Sequence, residues 1–260
     1  MRGGIVLVEQ QERVVWLTLN RPEAGHALSR DSIESLRSEL ARLRGLPELA
    51  ALVLTGTGRK AFCAGADLKE RGGFSLAQTR AHLNRQSALM DELAAFPRPT
   101  LAAINGAALG GGLELALACD IRIAVEGATL GLPEVRLGII PAAGGTQRLA
   151  RLCGLSRAKE LILTGRRIDA ATAKQIGLLS SVVPAAQLRG EAERVLGELA
   201  QAGPLALTQA KRAIDGGWDK PLPEALAWER RCYDVVLQSE DRNEGLRAFA
   251  EKRKPRFKGR

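Results

Sequence analysis

The strongest constraint in this sequence is the alternation of short strand-like runs with segments of helical periodicity. Three early runs are short and apolar or β-branched, which is typical of strands: Val6 to Glu9, Val14 to Asn20 and Ala50 to Thr55. Between the second and third runs, Ser29 precedes a stretch in which leucine and isoleucine recur every three to four residues, so we predict a helix that Ser29 caps. A strand, a helix and a strand in this order indicate an α/β unit.

The same alternation continues through the middle of the chain. We predict, in order, a helix from about Leu76 to Ala95, a strand at Leu101 to Asn105, a helix that a glycine cluster opens and that ends at Cys119, and a strand at Ile121 to Val125. After Thr146 the periodicity is mostly helical, and from Pro204 to Arg253 it is entirely so. The sequence therefore predicts an α/β core over residues 1–200 and a helical region over residues 201–260.

Composition argues mainly against certain classes of protein, such as zinc enzymes and serine hydrolases. Two histidines, His26 and His82, and no Gly-x-Ser-x-Gly turn leave little material for a zinc site or a Ser-His-Asp triad. The four cysteines lie far apart without a Cys-x-x-Cys pair, so we predict reduced thiols. Neither a signal segment nor a membrane span is apparent, which favours a cytoplasmic protein, although a mature protein of an organelle matrix would have the same features.

A net charge of +9 is concentrated at one end of the chain. Residues 247–260 contain seven basic side chains and a single acid, Glu251. Such a segment attracts phosphates, either on a small anionic ligand or on nucleic acid. A solvated run of surface charge is the alternative interpretation.

Two turns of small residues predict close approach of the backbone to a ligand. They are Ala64 to Asp67 and Gly110 to Glu114, and the second opens a predicted helix, where amide N–H groups lack partners within the helix. If one N–H group from each turn converged on one point, they would form an oxyanion hole for a thioester carbonyl. Glycines that permit tight helix packing are the alternative. A nicotinamide site at Gly56 to Ala61 is excluded because no phosphate-binding helix follows.

Two glutamates lie in apolar surroundings. Glu114 is flanked by leucine and alanine on a predicted helix, and Glu134 follows twenty residues later beside another apolar run. Two carboxylates next to an oxyanion hole would suit general acid and base catalysis at a carbon beside a carbonyl. Salt bridges to Arg136 or Arg148 would explain either acid without catalysis.

Six segments in this order resemble the enoyl-CoA hydratase/isomerase (crotonase) superfamily, most closely its 3-methylglutaconyl-CoA hydratase branch. The resemblance covers nearly the whole chain. The segments are residues 19–23 (L-N-R-P-E), 61–69 (A-F-C-A-G-A-D-L-K), 104–120 (I-N-G-A-A-L-G-G-G-L-E-L-A-L-A-C-D), 132–135 (L-P-E-V), 140–149 (I-P-A-A-G-G-T-Q-R-L) and 248–253 (A-F-A-E-K-R).

The resemblance implies a spiral of ββα units, a helical C-terminal trimerisation region and hydration of an enoyl-CoA. The backbone N–H groups of Ala66 and Gly111 would hold the thioester oxygen. Glu114 would help to activate water for attack at the β-carbon, and Glu134 would deliver a proton to the α-carbon. No cofactor is implied, since coenzyme A is part of the substrate, and no metal. The coenzyme A path would be lined, partly through backbone, by Ala24, Ala27, Ala64 and Leu68.

Two residues near the end of the sequence complete the predicted coenzyme A site. Phe249 and Lys252 stand three apart, so we predict that they share one helix face, with a flat apolar group beside a cation for adenine and phosphate. In the resembled family these positions come from a neighbouring subunit, which implies a homotrimer or a homohexamer.

One position departs from the family pattern, because His26 stands where a turn asparagine is usual. Both residue types tolerate left-handed backbone and offer hydrogen bonds, so we predict a tolerated replacement and not a new base. Three alternatives to a general hydratase stay open: a 3-methylglutaconyl-CoA hydratase, an enoyl-CoA isomerase and an RNA-binding member. The acyl pocket, expected around residues 74–90 and near Ala142, does not identify the preferred chain.

Overall fold

The alternation of the sequence is present in the computed structural model, which describes residues 4–46 and 49–260. Within these residues the strands are β1 (Val6–Gln11), β2 (Val14–Leu19), β3 (Ala51–Gly56), β4 (Ala61–Cys63), β5 (Thr100–Ile104), β6 (Ala107–Leu109), β7 (Ile121–Val125), β8 (Thr129–Gly131), β9 (Ile168–Asp169) and β10 (Ser181–Val183). The helices are α1 (Arg30–Arg44), α2 (Leu68–Arg71), α3 (Leu76–Ala94), α4 (Gly111–Leu117), α5 (Gly145–Cys153), α6 (Leu155–Thr164), α7 (Ala170–Gln175), α8 (Leu188–Ala200), α9 (Pro204–Gly217), α10 (Leu222–Leu237) and α11 (Glu240–Ala250).

The strands form two sheets that share the same chain path. The larger sheet has the order β1-β2-β3-β5-β7-β10, and all its neighbours are parallel except the β1-β2 hairpin. The smaller sheet has the order β4-β6-β8-β9. Each of β3, β5 and β7 is followed within a few residues by β4, β6 and β8, and then by helix. The chain therefore repeats a ββα unit whose two strands enter different sheets, and the predicted α/β spiral is confirmed.

Helix α1 shows why the sequence prediction succeeds for the longer elements. The Ser29 hydroxyl accepts a hydrogen bond from Ser32 N at 3.2 Å and caps the helix, as predicted. The buried face is the apolar stripe read from the sequence, with Ile33, Leu36 and Leu40 in the core. Aliphatic side chains dominate this core, so α1 is fixed by burial of that stripe and by its cap.

The predicted helical C-terminal region is present as α9, α10 and α11. Its end differs from the prediction, because α11 stops at Ala250 and Lys252 has a left-handed backbone with φ of +52°. Lys252 therefore lies outside the helix, and the prediction that Phe249 and Lys252 share a helix face is wrong. The division at residue 200 stays a prediction.

His26 occupies a left-handed position with φ of +58°, as its replacement of a turn asparagine predicts. Its Nδ1 accepts a hydrogen bond from Arg21 N at 3.0 Å, and its Nε2 lies 2.9 Å from Thr57 O, to which it donates. Burial lowers the pKa of His26. The His26 ring is thus neutral, and both of its nitrogens form hydrogen bonds within the turn. These contacts favour a structural role over a catalytic one.

The remaining exclusions from composition can be compared with the structure. Cys63, Cys119, Cys153 and Cys232 are free thiols. Among residues 4–46 and 49–260, no group of histidine, cysteine and acidic side chains could hold a metal ion. In the same residues no helix is both long and apolar enough to cross a membrane.

Candidate active site

The two small-residue turns lie against each other at the start of α4. Gly65 and Gly110 both have positive φ, at +103° and +51°, which glycine adopts without strain. A side chain at Gly65 would place its Cβ 2.8 Å from Leu109 O and 3.4 Å from Gly111 N. The turn after β4 therefore needs glycine in order to pack on the junction between β6 and α4.

Ala66 N and Gly111 N stand on the two sides of this contact. Leu28 N donates to Gly65 O and Asp67 N donates to Leu28 O, and these two hydrogen bonds do not involve the N–H of Ala66, which lies between them in the chain. Gly111 is the first residue of α4, where an N–H has no acceptor within the helix. In the part of the chain that the structure describes, neither N–H donates a hydrogen bond. Both N–H groups are therefore available as donors to a ligand.

Glu114 is held by a second loop. The residue is 2% exposed, and its Oε1 accepts hydrogen bonds from Ala143 N at 2.8 Å and Gly145 N at 2.9 Å. Burial raises the pKa of Glu114, while the two amide donors oppose that rise. Its Oε2 accepts a long hydrogen bond from Gln86 Nε2 at 3.5 Å. One carboxylate oxygen is therefore fixed by two backbone amides, and the other is held only by this one long contact.

Glu134 lies on the 3-10 turn Glu134–Leu137, directly after β8 and Pro133. Its Oε1 would be 3.1 Å from a Cβ at Gly110, so the glycine makes room for this carboxyl group beside the start of α4. Its Oε2 is buried and has no hydrogen-bond partner among the described residues. Burial, and then the charge of Glu114, raise the pKa of Glu134 to about 7. Glu134 can thus carry a proton at neutral pH.

The salt-bridge explanation for these two acids does not hold. Arg148 Nη2 binds Asp91 Oδ1 at 2.8 Å, and Arg136 donates to Thr164 O at 3.2 Å. In residues 4–46 and 49–260, neither arginine forms an ion pair with Glu114 or Glu134. The two carboxyl groups lie in a low-dielectric site, where the charge of Glu114 raises the pKa of Glu134.

The residues predicted for the coenzyme A path come together on one side of this site. Ala64 N donates to Gly25 O at 2.9 Å, and a Cβ at Gly25 would lie 3.1 Å from Ala64 Cβ. This contact joins the 24–27 loop, with Ala24 half-buried and Ala27 buried, to the turn that carries Ala64 and Leu68. Ala64 and Leu68 are exposed.

The two C-terminal residues of the prediction are on the surface of the protomer. Phe249 is 86% exposed, although a large apolar side chain gains free energy by burial. Lys252 follows the end of α11 and is exposed too. Both side chains are therefore free to contact a ligand or a second chain.

Sequence analysis missed two polar residues on α3. Gln86 is 4% exposed, and its Nε2 would lie 2.6 Å from a Cβ at Gly111. His82, one turn earlier, is fully buried. The sequence contains a signal for their burial, because residues 82, 86, 89 and 93 recur at helical spacing on one face of α3. Leucine occupies positions 89 and 93, so the polar residues at 82 and 86 stand at core positions.

The ββα spiral, with amide donors beside two carboxyl groups, defines an enzyme of the crotonase class. The family model described as enoyl-CoA hydratase/isomerase matches residues 9–260, and the chain belongs to that family. Enzymes of this family act on acyl-CoA thioesters and are typically oligomeric.

Relatives agree with this assignment over most or all of their lengths. The chain is 47% identical to the putative enoyl-CoA hydratase/isomerase YngF of Bacillus subtilis (strain 168), with 100% of both chains covered. It is 43% identical to the mitochondrial methylglutaconyl-CoA hydratase of Homo sapiens, over 97% of this chain and 76% of that one. The crystal structure of an enoyl-CoA hydratase from Bacillus anthracis superposes with a TM-score of 0.97 at 47% identity, over 98% of this chain and 100% of that one.

Proposed function

We propose that this chain is an enoyl-CoA hydratase that adds water syn across the 2,3 double bond of an enoyl-CoA. The observation that carries the proposal is the unequal environment of the two carboxyl groups. Glu114 has two amide donors that favour its ionised form. Glu134 has a buried oxygen without a hydrogen-bond partner among the described residues, and a pKa of about 7. One proton shared by the pair provides a base and an acid at once.

The reaction then proceeds with the proton count balanced. The thioester oxygen accepts hydrogen bonds from Ala66 N and Gly111 N, which stabilise the negative charge that develops there. Oε2 of Glu114 accepts a proton from water as the water oxygen bonds to the β-carbon. Glu134 gives its proton to the α-carbon. The pair still holds one proton, now on Glu114, and exchange with solvent restores the proton on Glu134, so no cofactor or metal is required.

The alternative within the family is a double-bond isomerase, which needs only one acid to move a proton between carbons. The two hydrogen bonds from backbone amides to Glu114 support hydration, since an isomerase would have no use for a second, fixed carboxylate. The decisive assay compares crotonyl-CoA hydration with isomerisation of a 3-enoyl-CoA. The Glu114→Gln variant should lose its hydratase activity. If the variant retains that activity, the isomerase becomes the better interpretation.

The branch of the family stays open to the same assay. Purified protein should be offered crotonyl-CoA, a long-chain enoyl-CoA and 3-methylglutaconyl-CoA, and the kcat/KM values compared. A preference of tenfold or more for 3-methylglutaconyl-CoA would replace the general hydratase by the branched-chain enzyme. The identity to the human methylglutaconyl-CoA hydratase motivates this arm.

We further propose a homotrimer or a pair of trimers. The C-terminal helices expose several large apolar side chains on the isolated chain, which is typical of an interface: Ile214, Trp218, Leu222, Tyr233, Leu246 and Phe249. In the assembly, Phe249 and Lys252 would reach the adenine and phosphates bound by a neighbouring chain. Sedimentation analysis tests the assembly, and a stable monomer would contradict it.

RNA binding has weaker support. Three of the arginines on α1 are engaged in ion pairs, Arg30 with Glu70, Arg37 with Glu92 and Arg42 with Glu39. A binding surface of this kind would lose affinity steeply as salt rises. Absence of binding near physiological salt would exclude it. A cytoplasmic location stays an expectation from the sequence.

A further inference from the structure

Helix α3 carries an unusual pair of buried polar side chains beside the candidate active site. His82 is 0% exposed and Gln86 is 4% exposed. Both ring nitrogens of His82 and Oε1 of Gln86 are buried without a hydrogen-bond partner in residues 4–46 and 49–260. Buried polar atoms in proteins are nearly always hydrogen-bonded, because leaving one unpaired is costly in free energy. Three such atoms within one helical turn point to a missing partner.

The position of the pair relates it to the substrate. Gln86 Nε2 lies 3.5 Å from Oε2 of Glu114, where the water attacks the β-carbon in the proposed function. His82 lies one turn further along the same face of α3, a distance of about 5 Å. Its ring packs against Phe74 with ring centroids 5.6 Å apart. The pair therefore extends from the proposed position of the reacting carbons toward Phe74, which is the direction in which we place the acyl chain.

The hydrogen-bonding capacity of the pair selects the ligand. Burial and the nearby guanidinium groups of Arg71, Arg30 and Arg85 outweigh Glu70 and lower the pKa of His82, so the ring is neutral. A neutral ring offers one donor and one acceptor, and Gln86 Oε1 offers a second acceptor. A hydroxyl group, which both donates and accepts, matches this set.

A carboxylate matches it less well. A carboxylate has no hydrogen to donate, so Gln86 Oε1 and the acceptor nitrogen of His82 would both stay without a hydrogen bond. It would also lose more hydration free energy than a hydroxyl group on burial beside His82. Of the three arginines that lower the pKa of His82, Arg30 is paired with Glu70 and stacked on Phe74.

From this arrangement we propose that His82 and Gln86 form a polar subsite that binds a hydroxyl group on the acyl chain of the enoyl-CoA substrate. The inference rests on the proposed function, because the hydratase site fixes where the acyl chain begins. The span of about 5 Å along α3 equals about four bonds of an extended chain. When Glu114 faces carbon 3, the fourth bond is the one from carbon 6 to the hydroxyl oxygen. The substrate class is thus a hydroxylated 2-enoyl-CoA of at least six carbons.

The test uses two substrates of equal size. In 6-hydroxyhex-2-enoyl-CoA and hept-2-enoyl-CoA, a hydroxyl group and a methyl group occupy the same position. The wild-type enzyme should favour the hydroxylated substrate by about tenfold or more in kcat/KM, mostly through KM, because the contact is remote from the reacting carbons. His82→Leu should reverse that preference. Equal values for the two substrates in the wild-type enzyme would overturn the proposal.

Two further measurements separate the subsite from folding and from the proposed function. Gln209→Leu is a matched control, because Gln209 is a buried glutamine of α9 whose Oε1 has no hydrogen-bond partner within the residues that the structure describes. This variant should leave the preference unchanged. His82→Leu should unfold at the same or a higher temperature, because it removes unpaired polar atoms. Failure to hydrate either substrate would reject the hydratase, whereas efficient hydration of hept-2-enoyl-CoA without a preference would reject the subsite alone. Preference for glutaconyl-CoA, a carboxylated chain, over both would also overturn it.

Discussion

Replacing Glu134 by glutamine should inactivate the enzyme and, at neutral to alkaline pH, make it more stable. The folded protein holds the pKa of Glu134 at about 7, against 4.5 for the free side chain. The folded state therefore retains a proton that the unfolded chain releases. The stability associated with that proton is complete below pH 4.5 and is lost as the pH rises through 7.

The size of the effect follows from the shift. The difference between 4.5 and about 7 corresponds to about 3 kcal/mol in the free energy of unfolding. Since the side chain is partly exposed, water screens part of this energy, and we expect about 2 kcal/mol. Glutamine does not titrate, so Glu134→Gln should gain this amount over the wild type between pH 4 and pH 8. Any constant effect of the amide cancels in that comparison.

The assay is urea unfolding of both proteins at pH 4 and pH 8, at one protein concentration because assembly contributes to stability. Glu126→Gln, which removes an exposed carboxylate from the turn between β7 and β8, is the control. Turnover of crotonyl-CoA by Glu134→Gln should fall about a hundredfold or more. If the variant and the wild type keep the same stability difference at both pH values, the buried, proton-carrying Glu134 is refuted.

Three other changes test the remaining parts of the site. Glu114→Gln should lower kcat about a hundredfold or more, and its effect should not add fully to that of Glu134→Gln. It should also shift the loss of residual activity at high pH to a lower pH, because the charge of Glu114 raises the pKa of Glu134. Fully additive losses would show that the two acids act independently. Gly112→Ala should prevent folding, since its methyl group would overlap the carbonyl oxygen of Cys63, and normal expression of folded enzyme would contradict that packing. Lys252→Ala should raise KM for acyl-CoA with little change in kcat, and should not affect a pantetheine thioester; equal losses on both would assign Lys252 to folding or assembly.

Sequence periodicity was sufficient for the longer elements and insufficient for the smaller sheet. Strand β3 and helix α1 bury continuous apolar runs or stripes, which a sequence displays directly. Strands β4, β6 and β8 have three residues each, too few to show alternation, and they lie in small-residue segments that read as turns. Their pairing depends on strands distant in the chain, so only the three-dimensional structure reveals that sheet.

The site was predictable where chemistry conflicts with surroundings. Glu114 stood out as an acid on an apolar helix, and the structure explains its presence through the amides of Ala143 and Gly145, which no local pattern announces. Gln86 was overlooked because glutamine is common on exposed helix faces, and only its register with Leu89 and Leu93 reveals that it is buried. The error at Lys252 has a local cause, since the helix ends two residues earlier.

The basic segment at the end of the sequence is folded back and not free. Buried Asp241 accepts hydrogen bonds from Lys258 N at 2.6 Å and Gly259 N at 2.8 Å, and Arg256 N donates to Glu244. A free tail would lose conformational entropy each time it bound an anion, about 1 to 2 kcal/mol for each residue ordered. Here part of that ordering is already made during folding, because Asp241 holds the backbone of residues 258–259. Loss of this one carboxylate would therefore loosen the basic segment without removing any of its positive charge.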